Sequence, residues 1–203
     1  MNLTIKPLTP ELAADYFDFF ENRAFTDDSP YRCYCQVYQM TKAQMTASCK
    51  MIEVDGLDPG CASRKIAEQQ IMFGALRGYL AFVDGLAIGW CNANDRANFP
   101  SECRDGERFY APAEKREKAV VCFEIAPDFR GKGIATSLLQ RVVSDAIIEG
   151  YTAVVGFPVK RDARYEWDCR GPLRLYEMAG FVKADSIQGA GSEELIVMRK
   201  ELV

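Results

Sequence analysis

The stretch Glu124-Ile-Ala-Pro-Asp-Phe-Arg-Gly-Lys-Gly-Ile-Ala-Thr136 joins an apolar segment to an amphipathic one. The apolar segment, Ala119 to Ile125, predicts a short strand. After Gly131 and Gly133, apolar residues recur at helical spacing as far as about Glu149, which predicts a helix. A glycine turn that links a strand to a helix N-terminus presents free backbone N–H groups and partial positive charge, and this combination favours phosphate binding.

Spacing excludes two common phosphate-binding loops. A P-loop requires Ser or Thr directly after its lysine, whereas Lys132 is followed by Gly133. The dinucleotide fingerprint requires a third glycine at the position where Thr136 stands. The sequence therefore predicts a phosphate-binding turn of another kind.

Composition and charge narrow the class of protein. The chain has 203 residues, is 48% hydrophobic and 27% charged, and carries a net charge of −4. These values predict one globular domain over residues 1–203, and the net acidity disfavours nucleic acid and anionic membrane as partners. The first residues, Met1 to Pro7, lack the basic and apolar regions of a signal peptide, so we expect a cytoplasmic protein.

The histidine and cysteine content restricts the chemistry further. The chain contains no histidine, which excludes Ser-His-Asp and Cys-His catalysis. Its eight cysteines are expected to be reduced thiols in a cytoplasmic protein. Four of them could offer thiolates to zinc, but they lack paired knuckle spacing and we expect no metal; these are Cys33, Cys35, Cys49 and Cys61.

The remaining pattern predicts the element order β, α, α, β, β, β, glycine turn, α, β, α, β, β. Asp84-Gly85 between two apolar runs indicates a hairpin with a type I′ turn. Ser63 is expected to cap a helix from Arg64 to about Leu76. We expect a long polar loop from Asn92 to Lys118 and a strand from Thr152 to Val159.

Three motifs in this order resemble one known family. Arg130 to Ala135 resembles the Arg/Gln-x-x-Gly-x-Gly/Ala signature of the GNAT superfamily of acetyl-CoA-dependent N-acetyltransferases. Leu175 to Phe181 is similar to the family's Leu/Phe-Tyr-Glu-x-x-Gly-Phe, and the hairpin Asp84 to Trp90 lies where the family carries such a sequence. The resemblance covers about 180 residues. It implies an α/β (α+β) fold, with a central mixed, mostly antiparallel sheet of about seven strands flanked by helices.

Shorter features point to a little-characterised subgroup of the same family. They are a Cys-x-Cys motif at Cys33, Gly-Trp-Cys ending at Cys91, and Gly-Pro-Leu-x-Leu-Tyr ending at Tyr176. The amine acceptors of that subgroup are mostly unassigned. These features therefore indicate a subgroup within the family, but they do not indicate which amine is the acceptor.

The resemblance also implies a set of residues that bind acetyl-CoA as co-substrate. Backbone N–H groups of the glycine turn would bind the pyrophosphate, Thr136 would add a hydroxyl, and backbone groups of the preceding strand would pair with the pantetheine arm. The implied cofactor-binding residues are Phe123, Ile125, Ala126, Arg130, Gly131, Lys132, Gly133, Ile134, Ala135 and Thr136.

Two residues are candidates for proton transfer. The resemblance makes Tyr176 a general acid that protonates the departing thiolate, while the alternative is a packing tyrosine. Glu124 is the only carboxylate inside the strand before the turn and is the candidate base, while the alternative is a carboxylate that faces solvent or pairs with a nearby cation. Seven residues before Tyr176 the family usually has Asn, and here Cys169 stands there.

The expected function is transfer of acetyl from acetyl-CoA to a primary amine by direct attack in a ternary complex. The acceptor would be a small-molecule or peptide amine, and its pocket is expected near Tyr31, Tyr34, Tyr38 and Trp90. A homodimer is compatible with this expectation. The main alternative is a non-catalytic sensor or scaffold that binds coenzyme A. A cysteine-rich metal or redox protein is a second alternative.

Overall fold

The computed structural model describes residues 2–27, 32–100, 106–161, 168–189 and 193–202. Its strands are β1 (Leu3–Pro7), β2 (Gly78–Val83), β3 (Leu86–Asp95), β4 (Glu117–Ile125), β5 (Ala153–Gly156), β6 (Val182–Gln188) and β7 (Glu194–Glu201). Its α-helices are α1 (Ala13–Asn22), α2 (Lys42–Glu53), α3 (Pro59–Met72), α4 (Gly106–Phe109), α5 (Ile134–Ile148) and α6 (Leu173–Met178).

The seven strands form one sheet in the order β1-β2-β3-β4-β5-β7-β6. Only β4 and β5 pair in parallel, and the other neighbours pair antiparallel. This confirms the predicted mixed, mostly antiparallel sheet of about seven strands flanked by helices. Among the described helices, none is both long enough and apolar enough to cross a membrane.

Helices cover both faces of the sheet because successive residues of a strand point to opposite sides. On β3, Trp90 packs edge-on against Tyr16 of α1, with ring centroids 5.0 Å apart. The neighbouring Gly89 instead faces α5, where an added Cβ would lie 3.2 Å from Ile134. The core therefore has two layers, with α1 on one side of the sheet and α5 on the other.

The β2–β3 hairpin has the turn that the sequence predicted. Asp84 and Gly85 both have positive φ, 50° and 85°, as a type I′ turn requires. This turn matches the right-handed twist of the two strands and fixes their register.

Helix α3 begins earlier than predicted. It starts at Pro59, and the carboxylate of Asp58 accepts hydrogen bonds from the N–H groups of Gly60 at 2.8 Å and Cys61 at 3.2 Å. The predicted cap, Ser63, therefore lies inside the helix. An Asp-Pro pair at the N-cap and first helical positions is the stronger start signal, since it supplies both an acceptor and a preset φ.

The predicted loop from Asn92 to Lys118 is wrong at both ends. Strand β3 continues to Asp95 and β4 begins at Glu117. Asn92 and Asn94 are polar yet buried, because their side chains have partners inside the protein. Asn92 exchanges hydrogen bonds with Gln39 at 2.8 and 3.2 Å, and Asn94 donates to the carbonyl of residue 75 at 3.0 Å.

The parallel pair β4–β5 is short, and this shapes the site. It joins Glu117–Val120 to Ala153–Gly156 and no further, so the described part of β5 ends before the predicted Val159. Opposite the point where this pairing stops, the β3–β4 register shifts. Beyond Val120 the strands diverge, and a cleft opens between them.

Candidate functional site

The cleft has a volume of about 2010 Å³. The segments that line it include parts of residues 32–38, residues 122–125 of β4, much of residues 129–136 of the glycine turn, and residues 168–175. Residues 159–161 and parts of α6, β6 and β7 contribute as well. Single small-molecule sites usually occupy roughly 300–1,000 Å³, so this cleft has room for two substrates at once.

The glycine turn leads from β4 into α5. Gly131 and Gly133 have positive φ, 74° and 81°, and an added Cβ on either would meet no atom within 4 Å. They are therefore required by backbone conformation rather than by neighbouring atoms, and the space outside them is open. Gly133 is the N-cap of α5, and the first hydrogen bond of the helix runs from the N–H of Ser137 to Gly133 at 3.0 Å. The three N–H groups before Ser137 precede that bond and point out of the helix end.

Arg130 is directed away from these open N–H groups. Its Nε donates to the carbonyl of Ile125 at 3.0 Å, and its other nitrogens pair with Asp27 and, at 3.3 Å, with Glu124. Its backbone N–H donates to Pro127 at 3.1 Å. Arg130 therefore anchors the turn to β4, and the open donors belong to the residues that follow it.

Lys132 is the other cation of the turn. It is exposed and holds its Nζ 5.1 Å from the centre of the Phe129 ring. Because neither Lys132 nor the Phe129 ring is buried, the Lys132 ammonium group is available to contribute positive charge beside the N-terminus of α5.

Glu124 faces the α1 side of the sheet. It lies opposite Trp90 on β3, whereas its neighbour Phe123 points to the other side and packs near Tyr176, with ring centroids 6.4 Å apart. Burial raises the pKa of the Glu124 carboxyl to about 8, although the positive charge of Arg130 opposes that rise. Nearby Asp27 adds to the increase in pKa because a second negative charge disfavours ionisation.

The strand groups predicted to pair with pantetheine already have partners. The N–H of Phe123 donates to the carbonyl of Cys169 at 2.5 Å, and the N–H of Ala126 donates to Ile88 at 3.0 Å. The carbonyl of Ile125 accepts the hydrogen bond from Arg130. A ligand arm that pairs with the Phe123 N–H must first displace the turn that carries Cys169.

Tyr176 is completely buried and lies outside the cleft lining. Its hydroxyl donates to the carbonyl of Arg170 at 2.8 Å, and burial holds its pKa well above the usual value. Its ring fills the space over Gly156, where an added Cβ would lie 2.0 Å from the Tyr176 Cε1. In this conformation Tyr176 packs against the core, and its role as an acid stays a prediction.

The aromatic residues expected near the acceptor separate into two groups. Tyr38 lines the cleft, and Tyr34 reaches Glu21 with its hydroxyl at 3.3 Å. Trp90 is fully buried against Tyr16 and does not line the cleft, so that expectation is corrected. Tyr31 lies outside the described residues.

The cysteines of the zinc hypothesis do not gather. Cys49 and Cys61 are exposed on α2 and α3, whereas Cys35 is buried beside β3. In the described ranges, no cluster of three or more cysteine, aspartate or glutamate side chains could hold a metal ion.

Sequence reasoning missed Asp27 and the cluster around Cys169. Asp27 pairs with Arg130 across 103 positions of the chain, so no local pattern could connect the two residues. Cys169 did carry a signal, since it replaces the asparagine that the family usually has. Its neighbours Cys122 and Tyr38 became visible only in the fold.

Comparison with known proteins agrees with this fold. The solved structure of a putative acetyltransferase of the GNAT family from Desulfovibrio desulfuricans matches with a TM-score of 0.60 and 15% identity, over 100% of both chains. YncA, a putative acetyltransferase from Salmonella typhimurium solved with its cofactor acetyl-CoA, matches with a TM-score of 0.53 and 15% identity, over 99% of this chain and 94% of that one. The aminoglycoside acetyltransferase AAC(6')-Ib, in complex with coenzyme A and kanamycin, matches with a TM-score of 0.59 and 14% identity, over 98% and 95%.

At these identities the structural matches support the fold alone. No curated protein sequence matches the chain. A family model described as the acetyltransferase (GNAT) family matches residues 46–181, which is about two thirds of the sequence. The chain belongs to the GNAT acetyltransferase family.

Proposed function

We propose that this protein transfers acetyl from acetyl-CoA to a primary amine by direct attack in a ternary complex. The observation that carries the proposal is the open N-terminus of α5 behind Gly131 and Gly133, which lies in a cleft large enough for two substrates. Acetyl-CoA in the Salmonella structure and coenzyme A with kanamycin in the aminoglycoside acetyltransferase support the choice of donor and of an amine acceptor.

The donor would lie along β4 with its pyrophosphate at the glycine turn. N–H groups of residues 131–135 and the Thr136 hydroxyl would bind the phosphate oxygens, and the dipole of α5 would add to their attraction. The pantetheine arm would use backbone groups of Phe123, Ile125 and Ala126 after the Cys169 turn has moved. Lys132 would contribute charge at the exposed edge, and Arg130 would hold the turn against β4.

Glu124 would accept the proton from the amine. An alkylammonium with a pKa near 10.4 gives up its proton at neutral pH at a cost of roughly 4 kcal/mol, so a base is required. The pKa of the Glu124 carboxyl, about 8, is closer to the pKa of the amine than the pKa of an ordinary glutamate is, so proton transfer from the amine to Glu124 is less unfavourable. The nitrogen then attacks the thioester carbonyl, the carbon–sulfur bond breaks, and the coenzyme A thiolate leaves with a proton from Tyr176.

One observation favours the alternative of a non-catalytic sensor or scaffold that binds coenzyme A. The Tyr176 hydroxyl is buried and already donates to Arg170, so the proposed acid is not presented to the cleft. A protein that only binds coenzyme A would need the glycine turn and would not need Tyr176.

The single-domain organisation, the cytoplasmic location and a homodimer also stay predictions.

A thiol-release assay with a panel of amines tests the proposal. Reduced protein and acetyl-CoA would be incubated with an aminoglycoside, a polyamine, an amino acid or a short peptide, and acetylated product would be identified by mass. We expect transfer to at least one class and none with the Gly133→Asp variant. Calorimetric binding of acetyl-CoA without transfer to any amine would instead support the sensor, and no binding would refute both.

A further inference from the structure

Three thiols that have no part in the proposed reaction line the cleft. Cys35, Cys122 and Cys169 all line the cleft, and the Cys122 thiol on β4 interacts with the thiols of the other two. Cys122 lies opposite Asn92 of β3. Cys35 and Cys122 are buried, and the side-chain amide of Asn92 donates to the Cys35 sulfur at 3.3 Å. The fold therefore brings thiols from three separate segments to the lining of one cleft.

Cys169 has the surroundings of a reactive thiolate. A hydrogen bond with Cys122 lowers the pKa of the Cys169 thiol, and the charge of Arg170 and the Tyr38 hydroxyl act in the same direction. Burial and the negative charge of Asp168 oppose this shift. The pKa of Cys122 is raised well above its usual value, first by its hydrogen bonds with Cys169 and Cys35 and then by burial, so Cys169 is the better nucleophile of the pair.

The same turn covers a backbone group that the proposed donor needs. The N–H of Phe123, next to Cys122, donates to the carbonyl of Cys169 at 2.5 Å. The following carbonyl, that of Arg170, accepts the hydrogen bond from Tyr176. Residues 168–171, here named the thiol turn, thus occupy the position that the pantetheine arm must enter.

We propose that Cys122 and Cys169 are an oxidisable pair, which a hydroperoxide converts to a disulfide that fixes the thiol turn over Phe123 and closes the cleft to the donor. The closure rests on the proposed function, because it concerns the acetyl-CoA pocket. The oxidation of the pair does not rest on it.

The chemistry balances with hydrogen peroxide as the oxidant. The Cys169 thiolate attacks one peroxide oxygen, the O–O bond breaks, and the departing hydroxide takes a proton to become water. The Cys122 sulfur then attacks the sulfenic acid sulfur of Cys169, and the S–O bond breaks. The oxygen leaves as a second water with the Cys122 proton. The two thiols lose two electrons and the peroxide gains them.

Peptide mapping tests the oxidation directly. Reduced full-length protein would be treated with a small excess of hydrogen peroxide, alkylated, digested without reductant and analysed by mass spectrometry. We expect a Cys122–Cys169 crosslinked peptide that dithiothreitol removes. A Cys35–Cys122 or Cys33–Cys35 disulfide as the main product, or Cys169 oxidised without any crosslink, would overturn the proposal.

Calorimetry with acetyl-CoA tests the closure. We expect the affinity of the oxidised protein to fall at least about tenfold, because the open conformation is withdrawn from the equilibrium, and to recover on reduction. Equal affinity before and after crosslinking would overturn the closure. If the reduced protein itself does not bind acetyl-CoA, the proposed function fails, while the mapping still decides whether the pair is oxidisable.

Variants separate this pair from the other thiols. Cys122→Ala and Cys169→Ser should each prevent the crosslink, whereas Cys61→Ser, at an exposed cysteine of α3, should leave both the crosslink and its effect on binding unchanged. Loss of the binding effect in Cys61→Ser would assign it to another thiol. Circular dichroism would show whether each variant is folded. If Cys122→Ala does not fold, the peptide mapping of the unaltered protein still decides whether the pair is oxidisable.

Discussion

The glycine turn and the thiol turn line the same cleft but use their backbone groups differently. The first turn of α5, after Gly133, leaves its N–H groups directed into open space. In the thiol turn, the carbonyls of Cys169 and Arg170 both accept hydrogen bonds from inside the protein. The proposed phosphate site therefore has its donors exposed without any rearrangement, while the groups proposed for the chemistry are hydrogen-bonded within the protein.

This difference separates binding from turnover. A ligand can reach the N-terminus of α5 without moving any part of the chain that the structure describes. To pair with the Phe123 N–H or to reach the Tyr176 hydroxyl, it must displace the thiol turn and break the hydrogen bonds that these two groups donate. Changes in the glycine turn should therefore act on affinity, and changes near the thiol turn should act on rate.

The largest effect is expected for Gly133→Asp. A carboxylate at the N-cap of α5 would stand beside the pyrophosphate and repel it, while Asp tolerates the positive φ of this position better than most residues. We expect calorimetry to show at least about a 100-fold loss of acetyl-CoA affinity, or roughly 3 kcal/mol.

Gly133→Asn is the matched control for that variant. Asn has nearly the same shape and also tolerates positive φ, but it carries no charge. It should lose much less affinity than Asp. Equal losses in the two variants would assign the effect to backbone conformation or bulk, and unchanged affinity in both would remove the pyrophosphate from this turn.

The next effect is expected for Tyr176→Phe. This change removes only the hydroxyl that donates to Arg170, and it keeps the ring that fills the space over Gly156. If Tyr176 turns into the cleft as the acid, kcat should fall about 100-fold with little change in KM. Steady-state kinetics at saturating acetyl-CoA measures both values. Unchanged turnover would leave Tyr176 as a packing residue, with an effect limited to thermal stability.

A smaller effect, confined to one range of pH, is expected for Glu124→Gln. The carboxyl acts as a base only when ionised, and its pKa is raised to about 8, so the rate of the unaltered protein should rise as the pH increases through about 8. The Gln variant should lack this rise and lose about tenfold in kcat/KM at higher pH. A pH–rate profile with an unaltered limb in the variant would exclude Glu124 as the base.

The same variant gives an independent check through stability. Because the pKa of Glu124 in the folded protein lies above the ordinary glutamate value of 4.5, the folded state retains a proton that the unfolded chain releases. The contribution of Glu124 to stability should therefore be present at low pH and decline between about pH 4.5 and 8. Chemical denaturation of both proteins across this range should show a larger decline in the unaltered protein than in the variant, and the difference reports on Glu124.

Local patterns were sufficient to predict the elements that depend on neighbouring residues. The Asp84-Gly85 hairpin and the strand–glycine turn–helix unit follow from apolar periodicity and turn chemistry, and both are confirmed. The extension of β3 through Asn92 could not be predicted, because a buried asparagine is stable only with a partner, here Gln39. Polar sequence indicates a loop unless that distant partner is known.

The candidate site divides in the same way. Gly131 and Gly133 were identifiable because glycine in a short strand-to-helix turn indicates a positive φ, and this signal does not depend on distant residues. The contact of Arg130 with Asp27 and the meeting of Cys122 with Cys169 join positions far apart in sequence, so only the fold brings them together.

The smallest effect is expected for Thr136→Val, which separates side-chain from backbone donors in the glycine turn. Val keeps the shape of Thr and lacks only the hydroxyl, so one hydrogen bond to phosphate should be lost, about 1 kcal/mol or roughly fivefold in acetyl-CoA affinity. Ser137→Ala is the matched control, because that hydroxyl donates to Gly133 at 3.2 Å and Ser137 does not line the cleft. Calorimetry should show a loss for Thr136→Val only. Equal affinity in all three proteins would mean that backbone N–H groups bind the phosphate without help from side chains, and that would sharpen the contrast between an open, preformed turn and the closed one opposite it.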